Sequence, residues 1–172
     1  YMLKHPQCNR WYPIFYIMLN TGMRVGEIAG LRWQDVDLEN NLITVDHTLV
    51  YFNHSENGCH YNIHTPKTRS GERTIPMLSG VKAAFEQERK FQQEAGIKCD
   101  VVIDGYSDFI FTNRYGNVHN QSTLNRALKR MIADCNREQL ANHSKNADVT
   151  LLPDFSCHIL RHTFATRLCE SG

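Results

Sequence analysis

No stretch of this sequence is long and apolar enough to cross a membrane. The longest hydrophobic run, around Pro13 to Leu19, is short and periodic, where a helical span needs about 20 apolar residues. No signal peptide opens the chain, and its six cysteines (Cys8, Cys59, Cys99, Cys135, Cys157, Cys169) form no CxxC pair. These absences argue against a secreted disulfide scaffold and a paired-cysteine metal site, so a reduced, cytoplasmic protein is expected. A surplus of one charge is missing as well. With 19 Lys and Arg against 18 Asp and Glu the net charge is +1, so the global field does not draw the chain to nucleic acid and any such contact must come from local clustering.

At 172 residues, 41% hydrophobic and 22% charged, the chain fits one domain with a continuous core. Tyr1 opens without an initiator and Gly172 falls where a helix has just finished, so a piece of a longer protein is expected. Trp11, Ile14, Phe15, Met18 and Leu19 recur as the stripe of a helix with one buried face, with Pro13 tolerable in its first turn. Thr21-Gly22 stops it, and the chain re-enters a helix through Val25, Ile28, Ala29 and Leu31. Arg24 is thereby placed at a helix–helix junction.

From Leu42 the period changes. Leu42 to Val45, His60 to His64 and Arg73 to Pro76 are short and rich in β-branched or aromatic residues, which predicts one small antiparallel sheet of three strands. A further helix is expected over roughly Leu78 to Glu94, a buried segment at Phe109-Ile110-Phe111, and a long helix capped by Ser122 with Leu124, Ala127, Leu128, Met131, Ile132 and Cys135 inward. Arg126, Lys129, Arg130 and Arg137 fall off that stripe, as a solvated basic surface or as contacts to a DNA backbone. The stretch from Leu140 to Asp154 is polar and reads as a loop, and a last helix starts near Asp154 or Ser156. The fold class is thus α+β, a mostly helical single domain with a small antiparallel three-stranded sheet.

The last helix carries His158-Ile159-Leu160-Arg161-His162. At about 100° per residue, His158, Arg161, His162 and Ala165 share one arc, while Cys157, Leu160, Phe164 and Leu168 share another suited to packing. Glu27, three residues after Arg24, lies over the same helical face and can orient that guanidinium. Lys67 sits in a Thr-Pro-Lys-Thr-Arg-Ser-Gly turn between predicted strands, with Arg69 and Arg73 beside it as backbone contacts or edge charges. Two fixed guanidinium forks with adjacent imidazoles suit a phosphate that gains negative charge under attack.

Thr21 to Glu27, the hairpin with Lys67 and the His158 to His162 cluster, in that order, resemble the tyrosine recombinase (phage integrase) family. The wording Thr-Gly-Met-Arg and Leu-Arg-His-Thr-Phe-Ala-Thr is closest to integrases of bacterial conjugative transposons or phages. The resemblance implies that residues 1–172 are the recombinase catalytic domain, without the family's N-terminal DNA-binding domains or its C-terminal tail. It also implies site-specific integration or excision of a mobile element through a 3′-phosphotyrosyl link. Arg24 and Arg161 would stabilise the pentacoordinate phosphorus, Lys67 would protonate the leaving 5′-oxygen, His158 would assist as proton donor or shuttle, and Glu27 and His162 would support them. Arg69, Arg73, Arg126, Lys129 and Arg130 would be DNA-backbone candidates. The partners implied are double-stranded DNA at recombination sites and further copies of the chain, dimer to tetramer, with no cofactor, metal or membrane. In the family the nucleophilic tyrosine follows the H-x-x-R helix. All seven tyrosines here (Tyr1, Tyr12, Tyr16, Tyr51, Tyr61, Tyr106, Tyr115) precede it, so no nucleophile is assigned and the chain alone is expected not to cleave DNA.

Other readings stay open on the sequence. His158 and His162 have the i, i+4 spacing of two zinc ligands but lack a glutamate after the first histidine, and Cys59, His60 and His64 form a weaker metal pattern. A non-catalytic DNA-binding or regulatory module on the same fold, and a type IB topoisomerase-like enzyme, are the alternatives of function.

Overall fold

A computed structural model describes residues 1–54, 58–66, 71–142 and 149–170, with Asn53 and His54 described by their backbone alone. After a short 3₁₀ turn come α1 (Pro6–Asn9), α2 (Tyr12–Thr21) and α3 (Val25–Ala29). Five strands follow, β1 (Val36–Asp37), β2 (Leu42–Val45), β3 (Thr48–His54), β4 (Gly58–His64) and β5 (Arg73–Pro76), then α4 (Ser79–Ala95), α5 (Gln121–Asn142) and α6 (Cys157–Glu170). Among the described residues no helix is long and apolar enough to cross a membrane.

The apolar stripe of α2 forms the centre of the core. Ile14, Phe15, Ile17 and Met18 are buried in one cluster with Val81, Ala84 and Phe85 of α4, the Phe109-Ile110-Phe111 segment, and Leu124, Leu128 and Met131 of α5. The helix ends as its sequence dictates. Gly22 takes a left-handed φ of 62° and donates its N–H to Met18 O at 3.1 Å, a conformation that glycine adopts without the clash a Cβ would bring.

The mixed α+β class holds, but the strands divide differently from the predicted single sheet. Strands β1, β2 and β5 form a three-stranded antiparallel sheet in that order, with Ile43 opposite Ile75 and Val45 opposite Arg73. His60 to His64 belongs instead to β4, which pairs with β3 in a separate hairpin, Thr48 opposite His64 and Tyr51 opposite Tyr61. The sequence reading missed Thr48–His54 as a strand. A strand finds its nearest antiparallel partner across a local turn before a remote one, which is why β4 folds onto β3. The place left in the first sheet is filled by Val36–Asp37, which returns through the turn at Asn41, φ 57°.

The hairpin is seated on α3 through two positions that lack side chains. A Cβ at Gly26 would lie 2.4 Å from Thr48 Oγ1 and 2.7 Å from Leu49 O, and one at Gly30 would lie 3.0 Å from Leu49 N. His47 fastens the same corner, its Nε2 at 2.6 Å from Gly30 O and its Nδ1 at 2.5 Å from Asp46 Oδ1.

The long helix α5 starts two residues earlier than the Ser122 cap predicts. Asn120 is the capping residue, its Oδ1 accepting from Thr123 N–H at 2.8 Å, the bond that an Asn at this position characteristically makes. Leu140 to Asn142, predicted as loop, belong to α5, and residues 143–148 lie outside the described residues.

Candidate phosphate-binding site

The site forms where α2 ends, α3 begins and α6 crosses behind both. Buried Met23 anchors the junction in the core, and Arg24 follows in extended geometry as the residue that caps α3. Glu27, one turn into α3, reaches back. Its Oε2 accepts from the Arg24 backbone N–H at 2.8 Å and its Oε1 from Arg24 Nη1 at 2.9 Å. The carboxylate is 6% exposed, and its other partner comes from β5. Arg73 donates Nη1 to Oε1 at 3.0 Å and Nη2 to Oε2 at 2.6 Å, a two-pronged pairing. Each Glu27 oxygen thus accepts two hydrogen bonds, which fills its acceptor capacity.

This arrangement fixes the protonation of Glu27. Burial alone would raise its pKa, but hydrogen bonds from Arg73 and from the Arg24 backbone and side chain, with the Arg73 charge, outweigh it and lower the value to about 2. The sequence anticipated the Arg24–Glu27 pair and missed the second arginine. Arg73 was read there as a backbone contact or edge charge, whereas its guanidinium is engaged by Glu27. No spacing rule links a helix residue to a strand residue 46 positions on, so nothing in the sequence signalled the pairing.

Arg161 approaches from α6. Cys157 and Leu160 are buried, and the Cys157 N–H is held by Asn125 Oδ1 of α5 at 2.9 Å, so the start of α6 is pinned to the core. Burial pushes the Cys157 thiol up to about 12, which leaves it an inert packing group. Arg161 Nη1 donates to the carbonyl of Gly22, the same residue that ends α2, while Phe164 packs where a Gly22 Cβ would stand. Burial, with Arg24 next and Arg73 also acting, holds the Arg161 pKa below the ordinary arginine value, against the opposing pull of Glu27. Residues 24, 27, 73 and 161 therefore form one electrostatic cluster, three guanidinium charges around one carboxylate, +3 − 1 = +2. Arg24, its side chain 61% exposed, presents the remainder of its fork to solvent.

His158 and His162 lie exposed on the same helix, their Nε2 atoms 2.8 Å apart. The predicted packing arc of α6 is only half realised. Cys157 and Leu160 are buried and Phe164 is partly so, but Leu168 is 61% exposed.

Lys67 and Arg69 lie outside the described residues. Flanking positions 66 and 71 are adjacent, since a Cβ on Gly71 would fall 2.3 Å from Pro66 Cβ. Arg126 and Arg130 are exposed on α5, Arg130 beside a separate cavity of about 700 Å³ near the start of α2. Lys129 is paired with Asp154 at 2.9 Å. Among the described residues no group of three or more His, Cys, Asp and Glu side chains is placed to hold a metal ion.

A family model described as the phage integrase family matches residues 2–172. The transposase from transposon Tn916 of Enterococcus faecalis is 38% identical over 164 residues, 94% of this chain and 36% of that protein. A tyrosine recombinase XerC-like protein of Caldanaerobacter subterraneus subsp. tengcongensis is 28% identical over 170 residues, 95% of this chain and 40% of that one. Among solved structures, the Tn1549 transposon integrase in complex with transposon right end DNA superposes with a TM-score of 0.82 at 31% identity, covering 99% of this chain and 50% of that chain. The chain thus spans half or less of the length of these relatives.

Proposed function

We propose, because the chain belongs to the phage integrase family, that residues 1–172 are the catalytic domain of a tyrosine recombinase that integrates or excises a mobile DNA element. The observation that carries this reading is the meeting of Arg24 and Arg161, from opposite ends of the sequence, at the Gly22 carbonyl and the Glu27 carboxylate. Mere attraction to a DNA backbone does not need guanidinium groups fixed in this way. A phosphorus passing through a five-coordinate state does, because donors already in place stabilise the added charge without reorganising.

In the proposed reaction a tyrosine hydroxyl attacks the scissile phosphorus, its proton passing to solvent, and the bond to the 5′-oxygen breaks, leaving a 3′-phosphotyrosyl link. Lys67 gives the departing oxygen its proton, His158 assists proton movement, and Arg24 and Arg161 hold the two non-bridging oxygens. Glu27 and Arg73 keep Arg24 in register. Rejoining is the reverse attack by a 5′-hydroxyl of the partner strand, with no metal or cofactor required. None of the seven tyrosines is assigned as nucleophile; the phenol of Tyr61, for example, is committed to Val118 O at 3.2 Å. The partners are double-stranded recombination-site DNA and further copies of the chain, from dimer to tetramer, in the cytoplasm. Arg69, Arg126, Lys129 and Arg130 are proposed backbone contacts, Lys129 on release from Asp154.

The test is a nicked suicide DNA substrate incubated with a protein in which this chain continues through the family's tyrosine-bearing segment. A covalent protein–DNA adduct is expected, lost when that tyrosine becomes phenylalanine. No adduct with the tyrosine present would instead favour a non-catalytic DNA-binding module. In the same protein Lys67→Ala is expected to lose cleavage by roughly 10²-fold or more and to regain it on DNA with a bridging 5′-sulfur, a leaving group that needs no proton. Failure of that rescue would remove the general-acid role.

A further inference from the structure

The two histidines of α6 are joined to each other. His158 Nε2 and His162 Nε2 lie 2.8 Å apart, with ring centroids 4.4 Å apart and planes crossed at 89°. Two ring nitrogens at this distance need one proton between them. Without it lone pair would face lone pair, and with two N–H would face N–H. A neutral imidazole carries a single proton, so the ring that donates at Nε2 has a bare Nδ1, and the ring that accepts at Nε2 carries its proton at Nδ1. The contact therefore couples the two tautomers. One turn of helix brings the rings together, and Arg161, bound to Gly22 O, lies between them in sequence.

We infer that His162 is a positioning residue that sets the tautomer of His158 and relays a proton to it, an inference that rests on the recombinase reading above. When His162 donates, His158 presents a protonated Nδ1 as an acid. As His158 Nδ1 gives its proton to a non-bridging oxygen of the scissile linkage, the proton on His162 Nε2 crosses to His158 Nε2, and His162 Nδ1 takes a proton from solvent. One proton enters from solvent, one reaches the DNA oxygen, and both rings end neutral. The hydrogen bond survives with its direction reversed, and His158 Nδ1 is now bare. The relay thus leaves His158 as a base, able to take that proton back when the linkage is rejoined. A lone histidine would have to rotate or exchange with solvent to make the same change.

The first test uses this chain labelled with ¹⁵N-histidine and needs no DNA. Long-range ¹H–¹⁵N correlation is expected to show one Nε2 of the pair protonated and the other bare. In His162→Ala, His158 is expected to revert to the tautomer mixture of a free imidazole. Both rings are exposed, so the substitution leaves the core intact. Nε2 protonation predominating in both wild-type rings at once, or a His158 unaltered by His162→Ala, would overturn the coupling.

The second test follows adduct formation in the protein that carries the family's tyrosine. His162→Ala is expected to slow cleavage about tenfold, less than loss of a direct acid or base, with DNA affinity unchanged and the rate restored by added imidazole. His162→Phe keeps the ring volume without its nitrogens and is expected to remain slow. Full activity in His162→Phe would mean that the ring only packs, and would overturn the relay. A failure of the recombinase reading itself would appear differently, as no adduct from the unsubstituted protein.

Discussion

Replacing Glu27 with glutamine is expected to lower the stability of the fold at neutral pH by on the order of 3 kcal/mol, a fall in melting temperature of about 6–12 °C for a domain of this size. The carboxylate is 6% exposed and each oxygen accepts two hydrogen bonds from Arg24 and Arg73. Burial alone would favour the neutral acid. The paired arginines outweigh it and hold the pKa at about 2, below the 4.5 of an unperturbed glutamate. A carboxyl depressed in the folded state contributes all its stability above the unfolded value and loses it as pH falls through the folded one. The difference between wild type and Glu27→Gln is therefore expected to be full at pH 7, to shrink below about pH 4.5, and to be nearly gone at pH 2. Urea unfolding at these pH values measures it. An equal deficit at pH 7 and pH 2 would show that the charge of Glu27 is not the source of its contribution.

Arg161→Ala is expected to show the opposite profile, with cleavage lost by about 10²–10³-fold, the usual effect of removing one donor to a developing oxyanion, and stability changed by no more than about 1 kcal/mol. The guanidinium is partly buried beside Arg24 and Arg73, and its depressed pKa shows that burial and these like charges oppose it in the absence of phosphate. A group placed where the empty fold gains little from it is one whose partner arrives with the substrate. Single-turnover adduct formation at saturating DNA, a binding titration and a thermal melt separate the three quantities. Equal losses of binding and cleavage would contradict a role confined to the transition state.

The sequence made one half of this site readable and concealed the other. The stripe of α2, its Gly22 stop and the re-entry at Val25 placed Arg24 correctly, because those signals are local and periodic. The arc with His158, Arg161 and His162 was legible for the same reason. Arg73 was not, because its engagement with Glu27 depends on how β5 lies against α3, a tertiary fact with no local period. The hairpin shows the same limit. Short strands rich in β-branched residues announce themselves, but their pairing does not, and β4 joined β3 rather than β2 and β5. Leu168 has the right spacing for the packed arc yet is exposed, since periodicity gives a face and not what covers it.

The seat of the hairpin on α3 works as a gauge. With hydrogen at Gly26 and Gly30, the backbone of Leu49 rests almost directly on the helix that begins at Arg24. The spacing between the hairpin and the helix that carries Glu27 is set by those missing methyl groups. One added carbon at Gly26 would lift the hairpin off α3 by on the order of an ångström and disturb the helix start beside Arg24, a misalignment that can slow a reaction about a hundredfold though no reacting group has changed.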